Sequence, residues 1–570
     1  FVREVGELET TLTVCVSPEC PMEIRSLSIR NGGESARRLT VTCALTPVLC
    51  TERDFEAHPA FAELFVQAHA HPEKRMVTAM RRGRTLCCAL KAVTDGPVEL
   101  MTDRAYIYGR RNVFGPPACL VAPGAEHDVT HAAGVRCSVT VAAGCTEEVT
   151  FLVAAGDSPE AVEQCLSGVS GPEDVRRVFH LAWTHAQVEM RYLKLDGSQA
   201  NLFQRIASRT VIRIPAKCPA VGTPGGRETL WKLGLSGDLP IIFVHAKSED
   251  SLPNVRTIAK AQEFLSLKGL PADLVIVYEG GDAYICPLRD KLAELVQTAS
   301  GRPYNRITAL AREMLSDNDL ATLMAAACLV LDGGEALEPQ LKAPVVTNAY
   351  TVFEPGACQG RAHVPKQLKA FDNGWGGYVN QGTEYCIDVT DRPPLPWSNL
   401  LVGESLGSLV SAGGGGYTWA GNARMTRLTP FRNDALTDVP GEGVLVRCDR
   451  TGDSFSTAPD MYASGRYRVT HGFGYTVFER YGGVYSSLTM FVDTKLPLKT
   501  SLLKLVNNTE REETFSVYYY AEPVLADKAA AGIRARFEGG RLMASSPFGE
   551  AGNAIFIAIP GMDVHYTASV

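Results

Sequence analysis

The sequence predicts a mainly β fold in which two copies of one β-sandwich domain flank helices and a small α/β segment with a parallel sheet. Three observations predict this fold class. Short runs of alternating polar and apolar residues recur towards both ends of the 570-residue chain. Strand-like and helix-like runs alternate in the middle. Residues 6–49 align without gaps on residues 482–525, which indicates an internal repeat.

The first segment, residues 1–156, is predicted to form an antiparallel sandwich. Asn31-Gly32-Gly33 marks a turn between two of its strands. Helical periodicity occurs only around residues 57–71. The predicted strands cover residues 10–16, 22–30, 38–45, 86–92, 137–142 and 148–154.

Residues 157–210 are predicted to be linker helices. Pro159 and Pro172 each stand at a first helical turn and are followed by acidic residues, which favour the positive end of a helix. Val178, Leu181 and Val188 recur at helical spacing, so a long helix is expected over residues 175–193.

Residues 211–345 are predicted to form the small α/β domain, followed by a linker over residues 346–376. Its short apolar runs are typical of a parallel sheet, and periodic segments between them are typical of crossover helices. The predicted strands are 240–245, 273–279 and 327–332, and the predicted helices are 256–267, 288–299 and 318–326.

Residues 377–570 are predicted to form the second sandwich. At the fixed offset of the repeat, Leu12 falls on Leu488 and Asn31 on Asn507. The two copies are interrupted at different points, so we expect the sequence to be a piece of a longer polypeptide. The predicted strands are 443–448, 467–470, 476–480, 484–492, 498–507 and 514–521.

Composition and charge exclude several classes of protein. A formal net charge of −7 argues against a nucleic-acid binder that neutralises phosphates. The longest apolar stretch, residues 320–331, is too short to cross a bilayer, so no transmembrane segment is predicted. The sixteen cysteines show no C-x-x-C spacing and are interpreted as reduced thiols of a cytosolic protein. No metal site and no cofactor are predicted.

The densest cluster of binding chemistry follows the glycine run 413–416. Aromatic rings stack on the C–H faces of sugars, and Asn, Asp and Arg side chains bind hydroxyl groups. The candidate substrate-binding residues are Tyr417, Trp419, Asn422, Arg424, Arg427, Asn433 and Asp434. The alternative is a β-hairpin whose arginines and aspartates pair with each other. The glycine run itself is not a phosphate loop, because no Gly-Lys-Ser/Thr follows it.

Three carboxylates near this cluster invite a catalytic interpretation. Asp434, Asp438 and Glu442 are spaced closely, and paired carboxylates cleave glycosidic bonds. The segment Asp438-Val-Pro-Gly-Glu442 also has the composition of a turn, which is the interpretation that we favour. No catalytic residue is therefore predicted.

Several motifs resemble a known family. Gly415-Gly-Tyr-Thr-Trp419, Arg427-Leu-Thr-Pro430 and His471-Gly-Phe-Gly-Tyr475 look like the N-terminal β-supersandwich of cellobiose- and chitobiose-phosphorylase-type enzymes. The match is closest to their large relatives, the cyclic β-1,2-glucan synthases. Thr102-Asp-Arg104 and Gly234-Leu-Ser-Gly-Asp-Leu-Pro240 are similar to the segment between the two supersandwiches of those synthases.

The resemblance covers essentially the whole chain and refines the predicted fold. It implies two partial β-supersandwich domains, joined by a linker helix and the α/β segment, with the second incomplete at its C-terminal end. One departure is Phe431, which stands where tryptophan is usual after Leu-Thr-Pro.

The resemblance also implies a function. In such synthases a membrane-embedded glycosyltransferase part extends a β-1,2-glucan from UDP-glucose, a helical barrel cyclises it, and a phosphorylase-type region trims it with phosphate. The chain is placed between the two barrels. The catalytic acid then lies in a barrel absent from this sequence, so the fragment alone is expected to be inactive.

Two functions are consistent with these residues. The first is an inter-barrel segment of a cyclic β-1,2-glucan synthase, in the cytoplasmic soluble part of an inner-membrane-anchored protein. Its expected partners are a β-glucan or oligosaccharide, phosphate through the absent barrel, and adjacent domains of the same polypeptide, but no nucleic acid. The alternative is an autonomous, non-catalytic carbohydrate-binding tandem β-sandwich. An open reading frame that continues past both ends favours the first. Because an interrupted sandwich exposes strand edges, poor solubility is expected.

Overall fold

The structure is a computed structural model of the chain. It describes residues 1–94, 96–110, 117–121, 129–211, 223–280, 285–300, 306–342, 364–365, 367–389, 393, 395–459, 465–527, 533–548, 554–562 and 564–567. The predicted linker over residues 346–376 lies largely outside these ranges. The fold is mainly β, with several antiparallel sheets and one small parallel sheet, as predicted.

The first β region, residues 1–156, contains two antiparallel sheets. Its strands are β1 Val2–Val5, β2 Leu8–Val16, β3 Met22–Asn31, β4 Arg37–Leu45, β5 Val66–His71, β6 Met76–Arg81, β7 Cys87–Val93, β8 Val98–Asp103, β9 His131–Val141 and β10 Thr146–Gly156. Its helices are α1 Glu52–Ala57, α2 Pro59–Leu64, α3 Arg104–Tyr108 and α4 Ala118–Val121. The seven-stranded sheet has the order β1-β2-β3-β10-β7-β6-β5, and the three-stranded sheet has the order β4-β9-β8.

The two sheets of this region pack against each other through a shared apolar core. Leu90 and Phe151 of one sheet contact Val135 of the other, since alternate side chains of each strand point inwards. Asn31, the predicted turn residue, is fully buried, and its side-chain amide donates to the carbonyl of Val141 at 3.1 Å. A buried amide with partners therefore fixes the end of β3 against β9.

The helix expected around residues 57–71 is wrong in its second half. Helix α2 ends at Leu64, and β5 pairs antiparallel with β6. Val66 and Ala68 point into the sandwich core, so cross-strand packing outweighs the weak helical pattern. Strands β6 and β8 were not predicted; the first four residues of β6 are all buried, so it lacks the alternation that identifies a half-buried strand.

Two helices follow the first β region: α5 Pro159–Ser167 and α6 Pro172–Tyr192. Leu166 and Val178 pack on Leu152, on the outer face of the seven-stranded sheet. Farther along α6, Val188 and Tyr192 are 58% and 72% exposed. Only the first half of the predicted apolar face is therefore covered by the described residues.

The α/β region is built on a four-stranded parallel sheet. Its strands are β11 Ile241–Ala246, β12 Asp273–Tyr278, β13 Ile307–Ala311 and β14 Ala327–Asp332, in the order β13-β12-β11-β14. Its helices are α7 Gly197–Val211, α8 Arg227–Lys232, α9 Leu252–Leu267, α10 Pro287–Ser300, α11 Asp317–Ala326 and α12 Leu337–Gln340. Helices α7, α9 and α10 cover one face of the sheet, and α8 and α11 cover the other.

The second β region begins at residue 377 by prediction and at the edge strand β15 in the structure. Its strands are β15 Gly376–Val379, β16 Glu384–Asp388, β17 Ser398–Val402, β18 Leu406–Ser411, β19 Gly416–Ala420, β20 Glu442–Cys448, β21 Ser454–Ser456, β22 Arg466–Gly472, β23 Tyr475–Tyr481, β24 Val484–Val492, β25 Lys499–Asn507, β26 Phe515–Ala521, β27 Arg534–Glu538, β28 Arg541–Ser545 and β29 Ala554–Ala558. The sheets are β15-β16-β22-β23-β24-β25, β17-β18-β19, β21-β20-β26 and β27-β28-β29.

The internal repeat is visible in strand register. Leu12 of β2 lies opposite Leu27 of β3, and Leu488 of β24 lies opposite Leu503 of β25. The offset that aligns the two sequences therefore also superimposes the two strand pairings. Because a slip of one residue would turn every side chain to the opposite face, a shared register is a demanding test of the repeat.

Candidate functional site

The glycine run forms the tight end of the β18–β19 hairpin. Gly414 and Gly416 have φ of +98° and +114°, which side chains other than glycine rarely adopt. A Cβ at Gly416 would also lie 2.0 Å from the carbonyl oxygen of Leu409. The run is therefore required by the turn, and it presents β19 to the site.

Strand β19 carries the centre of a three-ring stack. The ring of Tyr417 lies 5.0 Å from that of Trp419 and 4.4 Å from that of Phe431. The guanidinium of Arg427 lies 5.9 Å and 5.8 Å from the ring centres of Tyr417 and Phe431, within the range of cation–π attraction. Tyr417 is buried between its neighbours, and this burial raises its phenol pKa. Phe431 and Arg427, which cover the Tyr417 ring, are both half-buried.

Two cavities open on either side of Phe431. One has a volume of about 160 Å³ and the other about 180 Å³. The smaller is lined by Pro396, Ser398, Leu409, Ser411, Gly416, Phe431, Arg432, Asn433, Asp434, Ala435, Asp438 and Val439. The larger is lined by Ala57, His58, Pro59, Tyr417, Ala423, Arg424, Arg427, Phe431 and Asn433. The larger cavity thus lies between the two β regions.

A buried ion cluster joins the two β regions beside these cavities. Arg104 donates to both carboxylate oxygens of Asp434, at 3.0 and 2.7 Å, and to Glu63 at 2.8 Å. The three side chains are only 11%, 16% and 12% exposed, in the order Arg104, Asp434, Glu63. Asp103 fixes the arginine because its carboxylate accepts from the amides at the start of α3.

Asp434 is held as an anion by this cluster. Burial opposes its ionisation, but the hydrogen bonds and charge of Arg104, with the Thr437 hydroxyl, keep its pKa below the ordinary value. Asp434 is therefore paired with an arginine, but this arginine is Arg104 of the first β region. The alternative interpretation expected pairing among the arginines and aspartates of the hairpin itself, and residue spacing could not indicate a partner from the other β region.

A second ion cluster lies beneath β19. Lys499 donates to Glu442 at 2.7 Å and to Ser408 at 2.9 Å, and the carboxylate of Glu442 also accepts from Thr418 at 2.6 Å and Tyr519 at 3.0 Å. Burial opposes ionisation of Glu442, but Lys499 and the hydroxyl donors hold its pKa below the ordinary value. Burial and the adjacent carboxylate raise the pKa of Tyr519. The cluster fixes Thr418, between the two ring-bearing residues of β19.

The candidate residues are thus distributed as follows. The larger cavity is lined by Tyr417, Arg424, Arg427 and Asn433, and the smaller by Asn433 and Asp434. Trp419, the third ring of the stack, packs closely against Gly407. Asn422 forms a turn, in which its side chain accepts from the amides of Arg424 and Met425.

The first β region contributes to the site in a way that was not predicted. His58 lines the larger cavity, and Glu63 and Arg104 form the ion cluster. Of these three, only Arg104 belongs to a motif given above, and that motif was given for the family resemblance. Lys499 was also missed. The sequence signal for Lys499 is a lysine at an inward-facing position of an alternating strand. In the structure its side chain is 9% exposed.

His471 next to the site provides a prediction about acid stability. Its Nδ1 lies 3.0 Å from the Thr476 hydroxyl, and burial lowers its pKa to about 4. Because the pKa of His471 is lower in the folded state than in the unfolded state, protonation favours unfolding. The free energy of unfolding is therefore at its full value above about pH 6.5 and decreases as pH falls towards 4. We expect the free energy of unfolding to fall by about 2 kcal/mol between pH 7 and pH 5 from this residue.

Urea unfolding of the wild type and of His471→Gln at both pH values measures this loss. His185→Gln is the control, because His185 lies on the exposed part of α6. A wild-type pH slope that persists unchanged in His471→Gln would assign the acid sensitivity to other groups.

No arrangement in the described part of the chain suggests a metal centre: it contains no group of three or more His, Cys, Asp or Glu side chains placed to hold an ion. The cysteines that the structure describes are free thiols. Among the described helices, none has both the length and the apolar composition needed to span a bilayer.

The family model "Glycosyl hydrolase 94, supersandwich domain" matches residues 1–172 and 383–559. The chain is 27% identical over 622 aligned positions to the cyclic beta-(1,2)-glucan synthase NdvB of Rhizobium meliloti (strain 1021), which covers 100% of this chain and 22% of that protein.

Shorter matches are to phosphorylases. The chain is 30% identical over 153 positions to N,N'-diacetylchitobiose phosphorylase of Vibrio furnissii, covering 26% of this chain and 19% of that protein. It is 27% identical over 154 positions to solabiose phosphorylase of Paenibacillus borealis, covering 26% and 20%. The chain thus spans at most 22% of the length of these relatives. Because the family model covers more than half of the chain, the protein belongs to the glycosyl hydrolase 94 supersandwich family and is related to the cyclic glucan synthases.

Proposed function

We propose that this chain is the inter-barrel segment of a cyclic β-1,2-glucan synthase and that its second β region binds a β-glucan chain. The similarity to a synthase along the whole chain supports the first part. The stack of Tyr417 on Phe431, with a cavity on each side, supports the second. In this proposal the segment belongs to the cytoplasmic part of a membrane-anchored enzyme, and its other partners are adjacent domains of the same polypeptide.

The observation that carries the binding proposal is the position of Phe431 between the two cavities. A pyranose ring can lie against its face, because sugar C–H groups pack on aromatic rings. Asn433 and Arg424 line the same space and can donate to hydroxyl groups. A chain of sugars can then pass from one cavity to the other across the ring.

Catalysis is proposed to reside outside these residues. Glu442 is bound by Lys499, and Asp434 is bound by Arg104. Asp438 accepts from the hydroxyl of Ser411 at the end of β18. These contacts favour structural roles for the three carboxylates over the acid and base of a glycoside-cleaving pair.

Calorimetric titration with β-1,2-gluco-oligosaccharides tests the proposal. We expect Phe431→Ala to weaken binding about tenfold or more, because the stacking surface is lost. Phe431→Trp, which enlarges the ring, should retain binding. The matched control is Phe473→Ala, since Phe473 is 84% exposed on a different turn of the same region.

Two outcomes would contradict the proposal. The first is a folded wild-type protein that binds no β-1,2-glucan, which would leave the segment with a scaffolding role. The second is equal loss of binding in Phe431→Ala and Phe473→Ala, which would place the sugar elsewhere.

A further inference from the structure

Strand β25 has an open edge, whereas β3, its counterpart in the internal repeat, has a strand on each side. Strand β3 lies between β2 and β10, and β25 ends its sheet with β24 as its neighbour. The shared register pairs β2 with β3 as it pairs β24 with β25. The described residues therefore place no counterpart of β10 beside β25, although the strand that such a counterpart would join is present.

Backbone hydrogen bonds in the first β region show which groups of β3 face β10. The amide of Gly32 donates to the carbonyl of Glu7 at 2.8 Å, on the side of β2. The amide of Asn31 donates to the carbonyl of Cys145 at 2.9 Å, on the side of β10. Successive residues of a strand present their backbone groups to opposite edges. Asn31 and every second residue before it therefore face β10.

The second β region repeats this pattern up to the open edge. The amide of Asn508 donates to the carbonyl of Gly483 at 2.9 Å, on the side of β24, which repeats the contact made by Gly32. The backbone groups of Asn507, and of every second residue back to Lys499, therefore face away from β24. Such a row of backbone donors and acceptors is a template for a further strand.

The side chains of Asn31 and Asn507 differ in the same way. Each donates within its own turn, Asn31 to the carbonyl of Ser35 at 2.8 Å and Asn507 to that of Arg511 at 2.6 Å. Asn31 also donates to the carbonyl of Val141 in β9 and is buried, whereas Asn507 is exposed. The second β region thus keeps the residue that, in the first, joins β3 to a further pair of strands.

Apolar side chains are exposed beside the open edge. Met22 of β3 lies opposite Ala154 of β10 and is 3% exposed. Its repeat counterpart Leu498 is 50% exposed, and Leu496 and Leu502 are 59% and 63% exposed. Exposed apolar residues along an unpaired edge indicate a surface that another segment of polypeptide covers.

We propose that the open edge of β25 binds one further antiparallel strand, which has the alternating apolar pattern of β10 and belongs to an adjacent domain of the same polypeptide. The source of this strand rests on the proposed function, in which adjacent domains are partners of the segment. In strand addition, main-chain hydrogen bonds supply affinity and alternate side chains supply specificity. Because Val149 lies opposite Leu27 in the first β region, the added strand should place an apolar residue opposite Leu503.

Binding of a synthetic peptide tests the inference. The probe has the sequence of β10, Thr146–Gly156, and carries a fluorophore whose anisotropy is followed as the full chain is added. We expect saturable binding, and Ser501→Pro should weaken it about tenfold or more, because proline removes an amide that faces the open edge. An edge strand tolerates proline where its amide has no partner in the sheet. The matched control is Glu4→Pro in the edge strand β1.

A second variant keeps the test decisive if Ser501→Pro does not fold. The side chain of Leu502 is exposed, so Leu502→Asp should leave folding intact. It places a negative charge in the apolar patch, close to the acidic residues of the probe, and should weaken binding about threefold or more. A peptide of the same composition in scrambled order measures non-specific apolar binding.

The inference is overturned if the folded wild type does not bind the β10 peptide, if the scrambled peptide binds equally well, or if the folded edge variants bind like Glu4→Pro. It is also overturned if light scattering shows a dimer that Leu502→Asp dissociates, because a second copy of the chain then occupies the edge. Titration of the wild type with β-1,2-glucan distinguishes such a failure from that of the proposed function, because glucan binding at Phe431 does not require the edge of β25.

Discussion

Replacing Lys499 by methionine should destabilise the second β region by about 3–5 kcal/mol. The lysine is 9% exposed and supplies the positive charge for Glu442, which is 11% exposed. Without it, a carboxylate remains in the sandwich interior with only the hydroxyl groups of Thr418 and Tyr519. A buried charge that loses its partner costs more than the pair contributed, because its desolvation is no longer compensated.

Urea unfolding followed by tryptophan fluorescence is the measurement, since Trp375, Trp397 and Trp419 all lie in or beside this region. Lys504→Met is the matched control in the same strand, and its exposed side chain should be replaceable within about 0.5 kcal/mol. The double variant Lys499→Met/Glu442→Gln should recover part of the loss, because no net charge then remains buried. Equal stability of the two lysine variants would show that the cluster is not important for folding.

Replacing Arg104 by methionine should weaken the free energy of interaction between the two β regions by about 2–5 kcal/mol. It leaves Glu63 and Asp434 close together without their shared cation, and like charges in a poorly solvated site repel. The contact between Arg104 and Asp434 also depends on pH, because the pKa of Asp434 is lowered in the folded state. The contact stabilises the protein fully above the ordinary pKa of a carboxyl group, and this stabilisation is lost as pH falls below that value.

A double-mutant cycle with Asp434→Asn measures this interaction. We expect a coupling free energy of about 1 kcal/mol or more between the two positions. Arg177→Met is the control, because its ion pair with Glu19 is about half exposed and should contribute little. Additive effects at positions 104 and 434 would mean that the contact does not stabilise the arrangement of the β regions.

Local elements were predicted from sequence where local pattern and packing agree. Strand β24 occupies Val484–Val492, as the alternation predicted, and β14 occupies Ala327–Asp332, as the apolar run predicted. Helix α11 begins one residue earlier than predicted, because Ser316 and Asp319 form a capping box. The segment that became β5 was mistaken for helix, since its partner β6 is buried over its first four residues and lacks the alternation of a half-buried strand.

The candidate site was predicted only in part, for a similar reason. The residues that follow the glycine run are close in sequence, so Tyr417, Arg427 and Asn433 could be identified together. The role of Asp434 could not be predicted from the sequence, because its partner Arg104 is 330 residues away along the chain. Neither periodicity nor residue spacing indicates a pairing over such a separation.

Alternation, turn residues and motif spacing are local properties of the chain, and they were enough to predict the mainly β fold, the internal repeat and the aromatic and guanidinium cluster. Three other features depend on contacts between distant parts of the chain: Phe431 buries Tyr417, Lys499 neutralises Glu442, and the first β region closes the cavity. Burial and ion pairing depend on which surfaces meet, and that is set by the packing of whole sheets.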